Sequence, residues 1–75
     1  KDIIEELNLK ELKVALGKAI DELPENERMV VTLYYYEELT MKEVGKVLDI
    51  SESRVCQLHG KALAKMKTVM EQFNA

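Results

Sequence analysis

The side chains best suited to chemistry lie within one short stretch, Glu52, Ser53, Arg54, Cys56, Gln57 and Lys61. A glutamine amide can bond bidentately to adenine N6 and N7, and a serine hydroxyl can donate to or accept from several bases. Arginine and lysine reach phosphates, which position a protein on a duplex without reading its sequence. This is recognition chemistry, not bond-making chemistry. Elsewhere no carboxylates stand in a plausible catalytic constellation, and no glycine-rich loop could cradle a phosphate. His59 has no second histidine, and Cys56 three positions earlier is too little for a zinc site. The chain is therefore expected to be no enzyme and to hold no metal and no cofactor.

Four helices must position these residues. Leu9, Leu12, Leu16, Ala19, Ile20 and Leu23 recur at spacings of three and four, which predicts a helix over 9–22. Asn8 is its expected N-cap, with Glu11 three residues on. Pro24 stops that helix and opens the next, over 25–37, where Glu25 and Glu27 complement the positive N-terminal end. Val30, Leu33, Tyr34 and their neighbours are apolar around most of its circumference, so it is expected to be the most buried element. Thr40-Met41-Lys42-Glu43 is a capping box opening a helix over 41–48, whose expected buried stripe is Met41, Val44, Val47 and Leu48. Ser51 caps the last, over 52–72, with Val55, Leu58, Ala62, Met66, Val69 and Phe73 on its stripe. The expected fold is all-α, a small four-helix domain over 8–75, with residues 1–7 the end of a linker.

Only about three residues separate the third and fourth helices, the spacing of a helix-turn-helix. Such a pair needs a small residue at the crossing, which Gly45 supplies, and an apolar lock, which Val44, Leu48, Ile50, Val55 and Leu58 supply. The turn needs left-handed geometry. Asp49 stands where glycine would be easiest, yet aspartate visits that region more often than most residues. With Val55, Leu58 and Ala62 facing inward, the opposite face presents Glu52, Ser53, Cys56, Gln57, Gly60 and Lys61. Glu52, Ser53, Cys56 and Gln57 are then the candidates for base contacts, and Arg54, Lys61, Lys65 and Lys67 for phosphates. A compact αα-hairpin inside an ordinary bundle remains the plainer alternative.

Charge favours DNA. The 75 residues carry 11 Lys+Arg against 14 Asp+Glu, a net of −3, which argues against an indiscriminate nucleic-acid binder. Resolved along the chain, residues 1–50 hold 7 basic and 12 acidic side chains, whereas residues 51–67 hold 4 basic and 1 acidic, or +3. Positive charge collects on the proposed recognition helix. The same length allows one small domain that buries roughly 60% of its unfolded surface. A single cysteine permits no internal disulfide and suggests a reducing, cytoplasmic setting. The apolar runs are far short of the ~20 residues that span a bilayer, and no signal-peptide pattern opens the chain. Because it begins at Lys1, it is expected to be a fragment of something longer.

From Leu23 onward the sequence resembles region four of bacterial RNA polymerase sigma factors. The resemblance is carried by Leu23-Pro24-Glu25 with Glu27-Arg28, by Thr40 to Leu48, by Ser51 to His59 and by Lys61-Ala62-Leu63. Leu33-Tyr34-Tyr35, Glu37-Glu38-Leu39 and the Ser-Arg-Val-x-Gln-Leu-His segment look most like the flagellar or motility-type alternative sigma factors. The resemblance implies promoter DNA, at the −35 element, and the flap of the polymerase β subunit as partners, and in the motility subgroup a dedicated anti-sigma factor. No membrane and no small-molecule substrate is implied. The family's base-contacting places fall on Glu52, Ser53 and Gln57, with Arg54 near the backbone and Lys61 where housekeeping members meet DNA or activators. Housekeeping members place Arg then Glu where this chain has Glu52 and Ser53, and Arg where it has Cys56. An arginine there would grip guanine, and the glutamate would accept from cytosine. Their loss predicts an A/T-richer target, with Gln57 on an adenine.

Among single residues, Tyr34, Tyr35 and Tyr36 read as core and subsurface packing in preference to stacking platforms for bases. Met29, Met41, Met66 and Met70 read as core filler, and His59 as packed or phosphate-facing. Two rivals stay open. One is the four-helical DNA-binding domain of two-component or quorum-sensing regulators, which usually opens Leu-Thr-x-Arg-Glu where this chain has Leu23-Pro24-Glu25. The other is a purely protein-binding helical module.

Overall fold

The computed structural model describes residues 9–74; the expected cap Asn8, the expected linker end 1–7 and the side chains of Leu9, Leu12 and Phe73 lie outside what it describes. The described residues form helices α1 (Leu9–Asp21), α2 (Glu25–Val31, continued by a π-helical turn Thr32–Tyr36), α3 (Met41–Leu48) and α4 (Glu52–Asn74). No strand is present among them. Three of the helix boundaries agree with the apolar spacing to within two residues. The exception is α2.

Pro24 sits at the N-cap of α2 with φ −55° and ψ 152° and directs the chain out of α1. Its carbonyl accepts from Arg28 N–H at 2.9 Å, while the Arg28 guanidinium reaches back to the Asp21 carbonyl at 3.4 Å. Val30 and Val31, adjacent in sequence, point into two different clusters. Val30 packs with Val44, Val55 and Leu58, and Val31 with Leu23 and Ala62. Both clusters close on α4, the longest element, which packs against α1, α2 and α3. A helix contacted on three sides is held firmly, and its remaining face is free for other work.

The sequence-based expectation for α2 needs correction. The helix is α-helical only to Val31, and none of the residues Thr32–Tyr36 is fully buried. Here Glu37 N–H bonds the Thr32 carbonyl at 3.2 Å and Leu39 N–H the Leu33 carbonyl at 3.1 Å, so the final turns are widened. Widening changes the phase at which side chains leave the axis. Leu33 and Tyr34 still reach the core, but Tyr35 and Tyr36 are 49% and 68% exposed. Three consecutive tyrosines cannot share one buried face. The chain then reverses through Glu38, whose φ of 58° is left-handed.

Val47, expected in the buried stripe of α3, is exposed. Met41, Val44, Gly45 and Leu48 point toward the core, and Val47 leaves the helix roughly 100° from the middle of that group. Met29 is likewise exposed instead of filling the core, while Met41, Met66 and Met70 are half-buried.

Candidate nucleic-acid interface

The α3–α4 pair is built from its backbone outward. The Thr40 hydroxyl accepts from Glu43 N–H at 3.1 Å and the Glu43 carboxylate accepts from Thr40 N–H at 2.8 Å, the reciprocal capping box expected there. The bond from Thr40 N–H first, and the Thr40 side chain second, hold the Glu43 carboxyl below its ordinary value, with Lys46 adding a smaller pull. Asp49 ends α3 in the left-handed conformation, φ 59° and ψ 45°. Ile50 N–H then bonds the Gly45 carbonyl at 2.9 Å. Gly45 is where the two helices cross: a Cβ there would stand 2.8 Å from the Ile50 carbonyl oxygen and 3.5 Å from Val55 Cγ2. The Ser51 hydroxyl accepts from Arg54 N–H at 3.1 Å and starts α4. The predicted lock is in place, with Val44, Gly45, Val55 and Leu58 buried and Leu48 and Ile50 half-buried. This is a helix-turn-helix.

Its outward face carries the candidate base readers. Glu52, Ser53, Cys56 and Gln57 are all exposed on the first turns of α4, opposite Val55, Leu58 and Ala62. Cys56 is a free thiol. Gly60 continues the row, and a Cβ there would meet nothing within 4 Å. Arg54 is exposed, and its Nη1 donates to Gln57 Oε1 at 3.2 Å. Lys61 and Lys67 are exposed as well.

Lys65 departs from expectation. Its ammonium donates to both oxygens of Glu27, at 3.0 and 3.1 Å, and the Glu27 side chain is only 6% exposed. A buried carboxylate requires a partner, so Lys65 is committed to α2 and is not free for phosphate. Of the four basic residues between 51 and 67, three remain available: Arg54, Lys61 and Lys67. Both partners carried a signal in the sequence. Glu27 lies four positions before Val31, on the inward face of α2, and Lys65 lies three after Ala62, in phase with the α4 stripe.

A second contact between α2 and α4 also lay beyond the sequence reading. The Tyr35 hydroxyl and His59 Nε2 are 2.7 Å apart, their rings stack at 5.7 Å, and Tyr34 meets His59 edge-on at 5.2 Å. His59 is thus the packed imidazole, held on the side of α4 away from Gly60 and Lys61. Among the described residues no three His, Cys, Asp or Glu side chains come together to hold a metal ion. No helix among them is long and apolar enough to cross a membrane.

Residues 19–68 match the family model for sigma-70, region 4. That span runs from α1 through the helix-turn-helix and includes every candidate contact on α4. The chain belongs to the sigma-70 region 4 family. It is 51% identical over 57 residues to the RNA polymerase sigma factor FliA of Escherichia coli K12, covering 76% of this chain and 24% of that protein. It is 50% identical over 62 residues to the RNA polymerase sigma-D factor of Bacillus subtilis, covering 83% of this chain and 24% of the relative. The chain thus spans about a quarter of the length of these sigma factors. Its fold is similar to that of a chain in the flagellar sigma/anti-sigma complex Sigma-28/FlgM, with a TM-score of 0.80 at 41% identity, covering 95% of this chain and 30% of that one. Membership in the sigma-70 region 4 family favours neither the regulator-domain reading nor the purely protein-binding one.

Proposed function

We propose that this sigma region 4 domain reads the promoter −35 element as part of an RNA polymerase holoenzyme and directs initiation at flagellar and motility genes. The observation that carries the reading is the face of α4. Glu52, Ser53, Cys56 and Gln57 are exposed together on the first turns of a helix whose opposite stripe, Val55, Leu58 and Ala62, is buried in packing. Slender side chains around one amide let the helix lie deep in a major groove, with Gln57 on an adenine. Arg54, Lys61 and Lys67 take the flanking phosphates. Polymerase, through its β-subunit flap, is the protein partner. The likeness to the Sigma-28/FlgM complex supports an anti-sigma factor as a second. The role requires no catalysis, and the parent protein works in the cytoplasm, where transcription occurs.

Three phosphate contacts set a low electrostatic affinity. Counterion release then gives log K a slope of about −2.7 against log salt, where four contacts would give about −3.6. A domain with so few cations depends on its attachment to polymerase for effective concentration at the promoter. The test is transcription by polymerase holoenzyme carrying the full-length protein, on a panel of single-base −35 variants. Gln57→Ala is expected to erase discrimination at one base pair and leave the others unchanged. Uniform weakening on every variant would sink the assignment of Gln57.

A further inference from the structure

The contact between Arg54 and Gln57 bears on how the amide reads its base. The two residues are three apart on the first turns of α4, so their side chains emerge on neighbouring tracks of the helix surface. Arg54 Nη1 donates to Gln57 Oε1 at 3.2 Å, and the Arg54 backbone is itself fixed by its bond to the Ser51 hydroxyl at 3.1 Å. A glutamine amide turned end for end occupies nearly the same space but exchanges donor and acceptor. A guanidinium has five N–H donors and no acceptor. It can therefore bond only the oxygen of the amide, and its presence decides which end faces it.

We infer that Arg54 is a positioning residue that sets the orientation of the Gln57 amide for base readout. The inference rests on the reading of Gln57 as a base contact and extends it. With Oε1 held toward Arg54, the Nε2 donors are aimed the other way, and the second lone pair of Oε1 stays free for an adenine N6 donor. An adenine edge needs this one arrangement, donor to N7 and acceptor from N6. Holding the side chain before DNA arrives removes ordering that binding would otherwise require. A bond to a charged donor also polarises the amide and strengthens its N–H groups. The remaining guanidinium donors still reach phosphate, so Arg54 serves affinity and specificity at once.

The test uses the same holoenzyme and −35 panel with Gln57→Ala, Arg54→Ala, Arg54→Lys and the double variant Arg54→Ala/Gln57→Ala. Discrimination at the base pair read by Gln57 is expected to fall from roughly tenfold to about twofold in Arg54→Ala, as in Gln57→Ala. The double variant should discriminate no worse than Gln57→Ala alone. Arg54→Lys keeps the charge and is likewise a donor with no acceptor, so it should retain overall promoter strength and more of the discrimination than Arg54→Ala. If Arg54→Ala lowers transcription on all promoters by one factor and leaves the base preference intact, Arg54 is a phosphate contact alone and the inference is overturned. If Gln57→Ala itself leaves every preference unchanged, the base-contact reading fails and this inference falls with it, and the first variant separates the two cases.

Discussion

Helix α4, which also packs on α1, is held by α2 and by α3 through different means. Against α3 the joint is made of backbone: a left-handed Asp49, a bond from Ile50 N–H to the Gly45 carbonyl, and a crossing with no space for a methyl group. Against α2 it is made of long side chains at both ends of the contact, the Glu27–Lys65 pair with its buried carboxylate and the exposed Tyr35–His59 pair. A backbone joint fixes where α4 lies but cannot adapt. A side-chain joint can adapt, and its strength depends on burial. The two joints should therefore fail in different ways.

The largest effect is expected at the buried end of the α2 joint. Lys65→Met leaves the Glu27 carboxylate without its cation beside a half-open site, which costs about 2–3 kcal/mol. A domain of this kind has only about 5 kcal/mol to lose, so urea unfolding should show a much lower midpoint. Adding Glu27→Gln to Lys65→Met should restore much of the loss, because a neutral amide tolerates burial better than an unpaired charge. Additive losses would mean that the pair is not a coupled unit, and the side-chain account of this joint would fail. The same variant probes function. Since Lys65 is committed to Glu27, its removal should leave the salt slope of DNA binding unchanged, whereas Lys61→Ala should reduce it by about one unit.

Next in size is the backbone joint. Alanine at position 45 would gain about 1 kcal/mol of helix propensity if it fitted. Its Cβ instead meets the Ile50 carbonyl at 2.8 Å, and overpacking of this kind costs about 1–3 kcal/mol. Gly45→Ala is thus expected to lower stability by up to about 2 kcal/mol net. Gly60→Ala provides the matched control, since nothing lies within 4 Å of that position. It should raise the unfolding midpoint by the propensity term. Equal effects at the two glycines would erase the distinction between a joint and an open face.

The same contrast explains what the sequence could reveal. Everything in the α3–α4 joint lies within fifteen residues and uses local chemistry: the capping box at Thr40, the turn at Asp49, the small residue at Gly45 and the cap at Ser51. Each has a sequence signature, and each was legible. The α2–α4 contacts join residues 38 and 24 positions apart. Taken singly, Glu27 reads as an acid complementing the start of α2 and Lys65 as a phosphate contact, because each fits those roles alone. The widened turn at Thr32–Tyr36 defeated the α-helical period, and with it the expectation that all three tyrosines were buried or nearly so. The face of α4 was legible because burial on one side of a regular helix dictates exposure on the other.

A smaller effect is expected at the exposed end of the α2 joint. Tyr35→Phe removes the hydroxyl that meets His59 at 2.7 Å but keeps the ring stack. An exposed hydrogen bond of this kind contributes about 0.5–1 kcal/mol, because water replaces the lost partner. The melting temperature should fall by a few degrees. A loss as large as that of Lys65→Met would show that burial is not what separates the two ends.

The subtlest prediction concerns the charge that caps the start of α3. Glu43 accepts from Thr40 N–H at 2.8 Å and its carboxyl is held below its ordinary value by that bond, then by the Thr40 side chain and Lys46. A carboxyl with a depressed folded value favours the folded state when ionised. Its contribution is therefore complete above the unfolded glutamate's value, about 4.3. It fades as pH falls through the lower folded value, since the folded state then takes up a proton it had resisted. Glu43→Gln retains an acceptor for Thr40 N–H but cannot titrate. Stability near neutrality should change little, and the acid limb of the stability–pH curve below about pH 4 should become shallower than in the parent. An unchanged acid limb would mean that the cap works through hydrogen-bond geometry alone, with no contribution from the Glu43 charge.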